Sequence, residues 1–207
     1  MIANKHYPLS PDFNPGEDPE AVSALHELIA AMQAEGYPIS DQYSGFRSYD
    51  TQVGLYQNYV NQDGQEAADR YSARPGYSEH QTGLAMDMST VNYLNQSDVD
   101  VVEKVKAIAP EYGFVLRFPE GKKAETGIGY EDWHFRYVGK KIAKIIYDND
   151  WILEDYILKN LKLITNEKTI TYHIQACYVL LYLVVCVSRG KVWFSGHFDV
   201  IIILHRR

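Results

Sequence analysis

Two short stretches of the sequence concentrate side chains that bind metals and move protons. The first contains His80 and Asp87, and the second contains Glu131 and His134. Two imidazoles and one carboxylate, with a fourth position left for water, form the ligand set of a catalytic zinc site. A metal held in this way lowers the pKa of water towards about 7 and polarises a carbonyl. The residues His80, Asp87 and His134 therefore predict a hydrolytic metal centre.

The hydrolytic chemistry also needs a carboxylate that accepts a proton from water. Glu131 fits this role because it precedes His134 by three residues, so that one turn or bend can hold both at the metal. If residues 132–137 form a strand, His134 and Arg136 face one side, and the aromatic residues Trp133, Phe135 and Tyr137 pack on the other. However, a lone His–Asp pair is usually an ordinary surface or core pair, and Glu-x-x-His also occurs by chance. The residues alone leave both interpretations open.

The elements that would position these side chains are a mixture of helices and strands. A helix over residues 19–34 is indicated because Asp18 can cap it, Pro19 suits its first turn and apolar residues recur on one face. Strands and helices do not alternate as regular βαβ units, so the pattern favours an α+β fold. A second helix is expected to begin after Ser48, with Val53, Tyr56 and Val60 facing inward. Further helices are expected at 98–112, 140–148 and 151–161. The expected strands are 42–47, 83–89, 114–118 and 132–137.

The composition is that of a globular chain with one domain, or one domain and an appendage. The chain has 207 residues, of which 46% are hydrophobic and 23% charged, and this places it outside the disordered range. Its formal net charge of −7 argues against a nucleic-acid-binding protein, which would need a basic surface. With only two cysteines, the chain is not a small domain stabilised by several disulfides.

The charge balance changes near residue 165. Residues 1–164 contain 15 basic and 25 acidic side chains, whereas residues 165–207 contain five basic and two acidic ones. We therefore predict a main domain over residues 1–164 and a distinct apolar tail over residues 165–207. The first residues of the chain lack the apolar core of a signal peptide. This leaves a cytoplasmic protein, or one whose export segment is not part of this sequence.

The tail contains a strongly apolar run at residues 170–187, which allows three interpretations. A membrane helix needs about 20 apolar residues, and the basic residues that follow would place the C-terminus inside and the main domain outside. The many β-branched and aromatic residues, with a turn-like sequence at 188–191, favour a β-hairpin instead. The abrupt change in composition also permits a tail that is not selected sequence. Membrane association is expected only if this run provides it.

Four segments stand in a fixed order along the main domain. They are SGFRS at 44–48, SARPGYSEHQTGLAMD at 72–87, GFVLRFP at 113–119 and EDWHFRYVG at 131–139. Together with NKHYPL at 4–9, their order resembles the VanY-type D-alanyl-D-alanine carboxypeptidases over about residues 4–158. The ordered set is far more specific than any single segment. The resemblance implies the hedgehog/DD-peptidase-like fold, a small antiparallel sheet flanked by helices.

The resemblance assigns the metal and catalytic roles residue by residue. It implies that His80, Asp87 and His134 bind Zn²⁺ and that Glu131 is the general base. Arg47 matches the family arginine that stabilises the oxyanion and helps to place the substrate. A fixed guanidinium charge suits developing negative charge.

The resemblance also implies residues that contact the substrate. Gln52 and Ser78 match positions near the terminal residue of the substrate, and Arg74 or Gln52 is expected to bind its free carboxylate. Asp132 stands where the family commonly has proline, so we expect an additional negative charge near the site.

The implied activity is zinc-dependent removal of the C-terminal D-alanine from peptidoglycan stem peptides. We expect a monomer that acts in the cell envelope, outside the cytoplasm, without a nucleic-acid partner. An L,D-carboxypeptidase that acts on tetrapeptide stems is the alternative within the family. A catalytically silent, zinc-stabilised wall-binding module, or an adaptor that binds glycans through its tyrosines, is the alternative outside catalysis. Glu131 and Arg47 argue against a silent module, because a structural metal needs neither.

Overall fold

The computed structural model describes residues 1–90 and 99–160. The chain divides into two compact units, Met1–Leu158 and Lys159–Arg207, and every side chain discussed below belongs to the first. The predicted tail, including residues 170–187, lies outside the described residues, so the division between 164 and 165 stays a prediction. Within the described ranges, no helix combines the length and the apolar character that crossing a membrane would require.

The predicted α+β fold is confirmed, as a four-stranded antiparallel sheet flanked by helices. The order of the strands across the sheet is β1-β2-β4-β3, so the two central strands are β2 and β4. The strands are β1 (Ile39–Ser44), β2 (Ala85–Thr90), β3 (Phe114–Phe118) and β4 (Glu131–Tyr137). The helices are α1 (Pro19–Ala34), α2 (Tyr49–Asp63), α3 (Gln65–Tyr71), α4 (Val99–Ile108), α5 (Lys123–Thr126) and α6 (Lys140–Asp148), with 3₁₀ helices at Glu79–Thr82 and Ala109–Tyr112 and further helix at 153–160.

Helix α1 begins and ends at the residues that the sequence predicts. Asp18 caps it, because one carboxylate oxygen accepts hydrogen bonds from the backbone N–H groups of Glu20 and Ala21, both at 3.0 Å. Its apolar face is fully buried at Leu25, Leu28 and Met32. The cap and the apolar periodicity therefore agree, and together they fix this helix against the sheet.

Helix α2 begins after its predicted cap, Ser48, whose hydroxyl accepts a hydrogen bond from the backbone N–H of Thr51 at 3.1 Å. The predicted inward face is wrong at Val53, which is 42% exposed. The buried residue of α2 is the polar Gln52. The physical reason is that this helix covers the polar cavity described below and not the apolar core.

Alternation along the central strands separates the core from the polar face of the sheet. On β2, Met86 and Met88 are buried in the main hydrophobic core with α1 and α4, and Asp87 lies between them. On β4, Phe135 joins the same core, and His134 and Arg136 flank it. Successive residues of a strand point to opposite faces, so the polar residues share the other face. This confirms the predicted alternation for residues 134–137. It is wrong at Trp133, which was expected on the core side but lines the site cavity with His134, because the pairing of β3 with β4 is irregular there.

Candidate active site

The structure brings His80, Asp87 and His134 into one cluster, called the metal cluster below. Each residue offers a ligand atom, and these atoms lie within 4.8 Å of one another. Asp87 and His134 are direct partners across β2 and β4, which places their side chains next to each other on one face. His80 comes from the 3₁₀ helix that precedes β2. Strand pairing and one short helical turn thus assemble the predicted ligand set.

The connection between the 3₁₀ helix and β2 requires glycine at position 83. Gly83 has a φ of 73°, and a Cβ atom there would lie 2.1 Å from the carbonyl oxygen of Gly16. Thr82 reinforces the turn, because its hydroxyl donates to the Glu79 carbonyl at 2.6 Å and accepts from the Leu84 N–H at 3.1 Å. This tight turn holds His80 beside the start of β2.

Each imidazole of the metal cluster has one nitrogen occupied by an acceptor outside the cluster. Nδ1 of His80 donates to the Gly45 carbonyl at 2.7 Å, which leaves its Nε2 at 3.1 Å from Asp87 Oδ2. Nε2 of His134 lies 3.1 Å from Glu79 Oε2, which leaves its Nδ1 at 3.0 Å from Asp87 Oδ1. The arrangement presents one nitrogen of each ring to the same point, as metal-binding histidines require.

The residues of the cluster fit a bound metal ion. Oδ1 of Asp87 is buried and has no hydrogen-bond partner among the described residues, although Nδ1 of His134 is near. A buried carboxylate oxygen without a donor is costly unless a cation satisfies it. Two imidazole nitrogens and one carboxylate oxygen are a donor set that suits zinc.

The charges of the metal cluster also favour a cation. Burial alone would raise the pKa of Asp87, but the neighbouring His80 and His134 hold that pKa well below its usual range. Burial alone would lower the pKa of His134, but Asp87 and Glu79 raise it to about 10. Two carboxylates beside one imidazole thus favour a positive charge at this point, and a divalent cation supplies it while both imidazoles stay neutral.

Glu131 lies at the start of β4, where it can act on a proton close to the metal cluster. Its Oε2 is 3.6 Å from His134 Nδ1, and 22% of its side chain is exposed. Burial raises the pKa of Glu131; His134 opposes this effect, and the negative charges of Asp87 and Glu79 add to it. A carboxylate with a raised pKa is better suited to accept a proton and return it near neutral pH.

Arg47 was expected at the end of the strand predicted over 42–47. Strand β1 ends three residues earlier, at Ser44, so Arg47 lies on the loop between β1 and α2. Its guanidinium donates to Gln52 Oε1 at 3.0 Å and to Ser44 Oγ at 3.3 Å, and its backbone N–H donates to the His80 carbonyl at 3.2 Å. Gln52 is 1% exposed and donates to the Ala73 carbonyl at 2.6 Å. Both polar atoms of Gln52 are thus engaged, and one of them orients Arg47.

One cavity of about 200 Å³ unites most of the predicted site residues. Ser78 is 5% exposed and belongs to its wall. Lysine, arginine and tyrosine side chains that the sequence analysis did not single out also line it, among them Lys5, Arg70 and Tyr71. The predicted residues on its wall are Arg47, Gln52, Ser78, His80, Asp87, Glu131 and His134.

Two predicted residues lie elsewhere. Arg74 forms a bidentate pair with Asp69, at 2.8 and 2.7 Å. It lines a neighbouring cavity that shares Lys5, Ser72 and Tyr77 with the first. Asp132 lines a small cavity among core residues and is absent from the wall of the site cavity. The negative charge expected near the site is therefore directed towards the core, where burial raises the pKa of Asp132.

The sequence analysis missed Glu79. Its side chain is 1% exposed, and its Oε1 accepts hydrogen bonds from Arg117 at 2.9 Å and from Arg136 at 2.7 Å. Burial alone would raise the pKa of Glu79, but the two guanidinium groups and His134 hold it well below its usual range. The only signal in the sequence was its position next to the ligand His80. The arginines stand 38 and 57 residues away.

Comparison with known proteins supports the resemblance. The model of the VanY family, described as D-alanyl-D-alanine carboxypeptidase, matches residues 16–140. A putative carboxypeptidase of Bacillus subtilis, YodJ, is 44% identical over 145 residues, which cover 68% of this chain and 53% of the relative. The chain thus spans about half the length of this relative.

Solved structures agree with the fold. DacB, an L,D-carboxypeptidase from Streptococcus pneumoniae, is 57% identical with a TM-score of 0.72, over 75% of this chain and 84% of that one. A vancomycin-resistance D,D-pentapeptidase, VanY, in complex with Zn(II), is 28% identical with a TM-score of 0.66, over 76% and 97% of the two chains. With its fold, its ordered segments and the family match over residues 16–140, this chain belongs to the VanY family of D-alanyl-D-alanine carboxypeptidases.

Proposed function

We propose that this chain is a zinc-dependent carboxypeptidase that releases the C-terminal D-alanine of peptidoglycan stem peptides. The observation that supports it is the convergence of three metal ligands, a carboxylate and an arginine on the wall of one cavity. His80, Asp87 and His134 would hold the ion, with the nitrogen atoms Nε2 of His80 and Nδ1 of His134 facing it. The zinc complex of the 28% identical VanY supports this choice of metal.

When bound, Zn²⁺ supplies Lewis acidity, which acidifies water and polarises a carbonyl. The protein supplies the proton transfer and the fixed charge. Glu131 accepts a proton from the attacking water and returns it to the amine of the departing D-alanine, and its raised pKa suits both transfers. Arg47 places a permanent positive charge where the oxyanion develops. Gln52 and Ser44 keep its guanidinium in one orientation.

A carboxypeptidase must also bind the free carboxylate of its substrate. Gln52 has both polar atoms engaged by Arg47 and Ala73, and Arg74 pairs with Asp69 in the neighbouring cavity. We therefore assign the terminal residue of the substrate to the part of the cavity between Arg47 and Ser78. Gln52 then acts on the substrate through Arg47.

Two substrates compete within this proposal, and they differ in the residue that precedes the terminal D-alanine. The 57% identity with the L,D-carboxypeptidase DacB favours a tetrapeptide stem. The family model and the D,D-pentapeptidase VanY favour a pentapeptide stem, which the sequence motifs also indicated. We place the L,D-activity first because this chain is 57% identical to the L,D-carboxypeptidase and only 28% identical to the D,D-pentapeptidase. Either substrate implies action at the cell wall, outside the cytoplasm.

The test is the release of D-alanine by the full chain. The purified protein is incubated with a stem pentapeptide ending in D-Ala-D-Ala and, separately, with the tetrapeptide, each with and without a chelator. Release from the tetrapeptide alone supports the L,D-activity, and release from the pentapeptide supports the D,D-activity. The Glu131→Gln variant is the matched control that should bind zinc without hydrolysis. No release from either peptide by a zinc-loaded wild type would contradict the proposal and favour a wall-binding module.

A further inference from the structure

Glu79 is a buried carboxylate for which the proposed reaction has no direct use. Glu79 lines the site cavity, but it offers no free oxygen there because both of its oxygens are engaged. Oε1 accepts from Arg117 and Arg136, and Oε2 lies 3.1 Å from His134 Nε2. A fully buried charge with this many partners is costly to assemble unless its geometry serves a purpose.

The contact to His134 determines which nitrogen of that ring carries the proton. A carboxylate beside two guanidinium groups is an acceptor, so the hydrogen of a neutral imidazole must lie on Nε2. Nδ1 then offers its lone pair towards Asp87 and the metal cluster. The opposite tautomer would place a hydrogen on Nδ1 of His134, where a metal ion must bind. Glu79 thus selects the tautomer that is competent for metal binding.

The position of Glu79 is itself fixed from two distant parts of the chain. Arg117 bridges it to Glu154, with contacts of 2.8 and 2.6 Å to the two oxygens of Glu154. Asn4 donates to Glu154 at 3.0 Å, and Arg136 donates to the carbonyl of Met1 at 3.0 Å. The residues 1–4 and the helix at 153–160 therefore hold this buried network.

The formal charges within the network balance. Two carboxylates, Glu79 and Glu154, face two guanidinium groups, Arg117 and Arg136, and the side chains of both arginines are at most 3% exposed. A balanced network gives His134 a rigid acceptor whose burial the two guanidinium groups compensate. Rigid support of this kind keeps a site within the tolerance that metal binding needs.

We propose that Glu79 is a positioning residue, which fixes the tautomer and the ring orientation of His134 through its Nε2–H and is held in place by Arg117 and Arg136. This rests on the proposed function as a zinc enzyme. It extends that function to a residue that does not touch the substrate.

The test compares zinc affinity in the full chain, in Glu79→Gln and in Glu154→Gln, by competition with a chromophoric chelator. Both substitutions remove one carboxylate from the same buried network, but only Glu79 contacts His134. We expect Glu79→Gln to bind zinc about 10–100-fold more weakly. Glu154→Gln should retain nearly all of the wild-type affinity. Near-ultraviolet circular dichroism establishes that both variants are folded.

A second readout uses the zinc-loaded wild type with ¹⁵N-labelled histidine. We expect the His134 ring to carry its hydrogen on Nε2, as a slowly exchanging resonance that shifts in Glu79→Gln. Unchanged affinity in folded Glu79→Gln, equal losses in both variants, or zinc on Nε2 of His134 in the wild type would each overturn the proposal. If Glu79→Gln does not fold, the wild-type spectrum alone tests the proposal, because it shows which nitrogen of His134 carries the hydrogen. A wild type that binds no zinc would instead contradict the proposed function.

Discussion

The metal cluster and the surface that faces it are built in different ways. The ligands stand on paired central strands and on one tight turn, and a buried network of charges lies behind them. The facing surface, which we call the α2–α3 rim, consists of Tyr49–Tyr71 and the loop at 72–78. Its ion pairs, such as Arg70–Glu66, are largely exposed. In the proposed function, rigid strands would therefore carry the metal ligands, whereas the proposed substrate contacts would lie on surface elements that tolerate change.

The difference between the buried network and the exposed rim is clearest in two arginines. Arg117 and Arg74 both form short contacts with carboxylates, at 2.6 and 2.7 Å. The side chain of Arg117 is completely buried, whereas 54% of the Arg74 side chain is exposed. Solvent screens the exposed pair and leaves it with little effect on stability. Similar contact distances therefore do not imply similar energetic roles.

Removing a ligand of the metal cluster should have the largest effect. We expect His80→Ala to lose measurable zinc and to reduce D-alanine release to the background rate, because two ligands do not form a closed catalytic site. Zinc content by atomic emission and D-alanine release are measured on the same preparation. Ser40→Ala, on the edge strand β1 and away from the site cavity, is the control. Unchanged zinc content in His80→Ala would refute the ligand assignment.

Glu131→Gln should separate catalysis from metal binding. The variant keeps the size of the side chain but cannot accept a proton, so we expect kcat to fall by about 10²–10⁴-fold while zinc stays stoichiometric. The measurement is single-turnover release of D-alanine by protein of known zinc content. If this variant retained full activity, Glu131 would not be the general base.

Arg117→Met tests how much the buried charge network contributes to the stability of the fold. Removing one partner from a buried charge network leaves its carboxylates partly uncompensated, so we expect a loss of about 3–5 kcal/mol in the free energy of unfolding. Urea denaturation of the metal-free protein measures it. A change below about 1 kcal/mol, the range of surface pairs, would show that water reaches the network.

Arg47→Lys should reduce catalysis without loss of metal. A lysine carries the charge but cannot form the planar fork that donates to both Gln52 and Ser44. We expect kcat to fall by about 10²–10³-fold, as when an oxyanion donor is removed, with zinc affinity unchanged. Steady-state kinetics and chelator competition measure the two quantities. A change in KM alone would assign Arg47 to substrate binding only.

The sequence predicted the elements whose signals are local. Helix α1 was predicted at both ends because its cap Asp18, its first residue Pro19 and its apolar period are all local to it. The residue types of the metal cluster indicated a zinc site but left an ordinary His–Asp pair possible, and the resemblance to the VanY-type family assigned the three ligands. Assembly of the cluster by direct pairing of Asp87 with His134 needed only two strands in register.

The sequence did not reveal features that depend on distant partners. Glu79 is an ordinary surface residue type until two arginines from β3 and β4 surround it. Val53 was expected inside because an apolar residue on a helix usually faces a core, but α2 covers a polar cavity and buries Gln52. Asp132 shows the same limit, since its direction depends on the local irregularity of β3–β4 pairing.

Arg74→Ala should have the smallest effect. The sequence suggested Arg74 as a ligand of the substrate carboxylate, but its guanidinium is held by Asp69 in the cavity next to the site. We expect KM for the preferred peptide to change by less than about fivefold, within the range of surface ion pairs, and kcat to stay near the wild-type value. Asp69→Asn is the matched control, because it frees Arg74 without removing it. A large rise in KM for Arg74→Ala but not for Asp69→Asn would mean that Arg74 leaves Asp69 to bind the substrate, and the rim would then contribute directly to recognition.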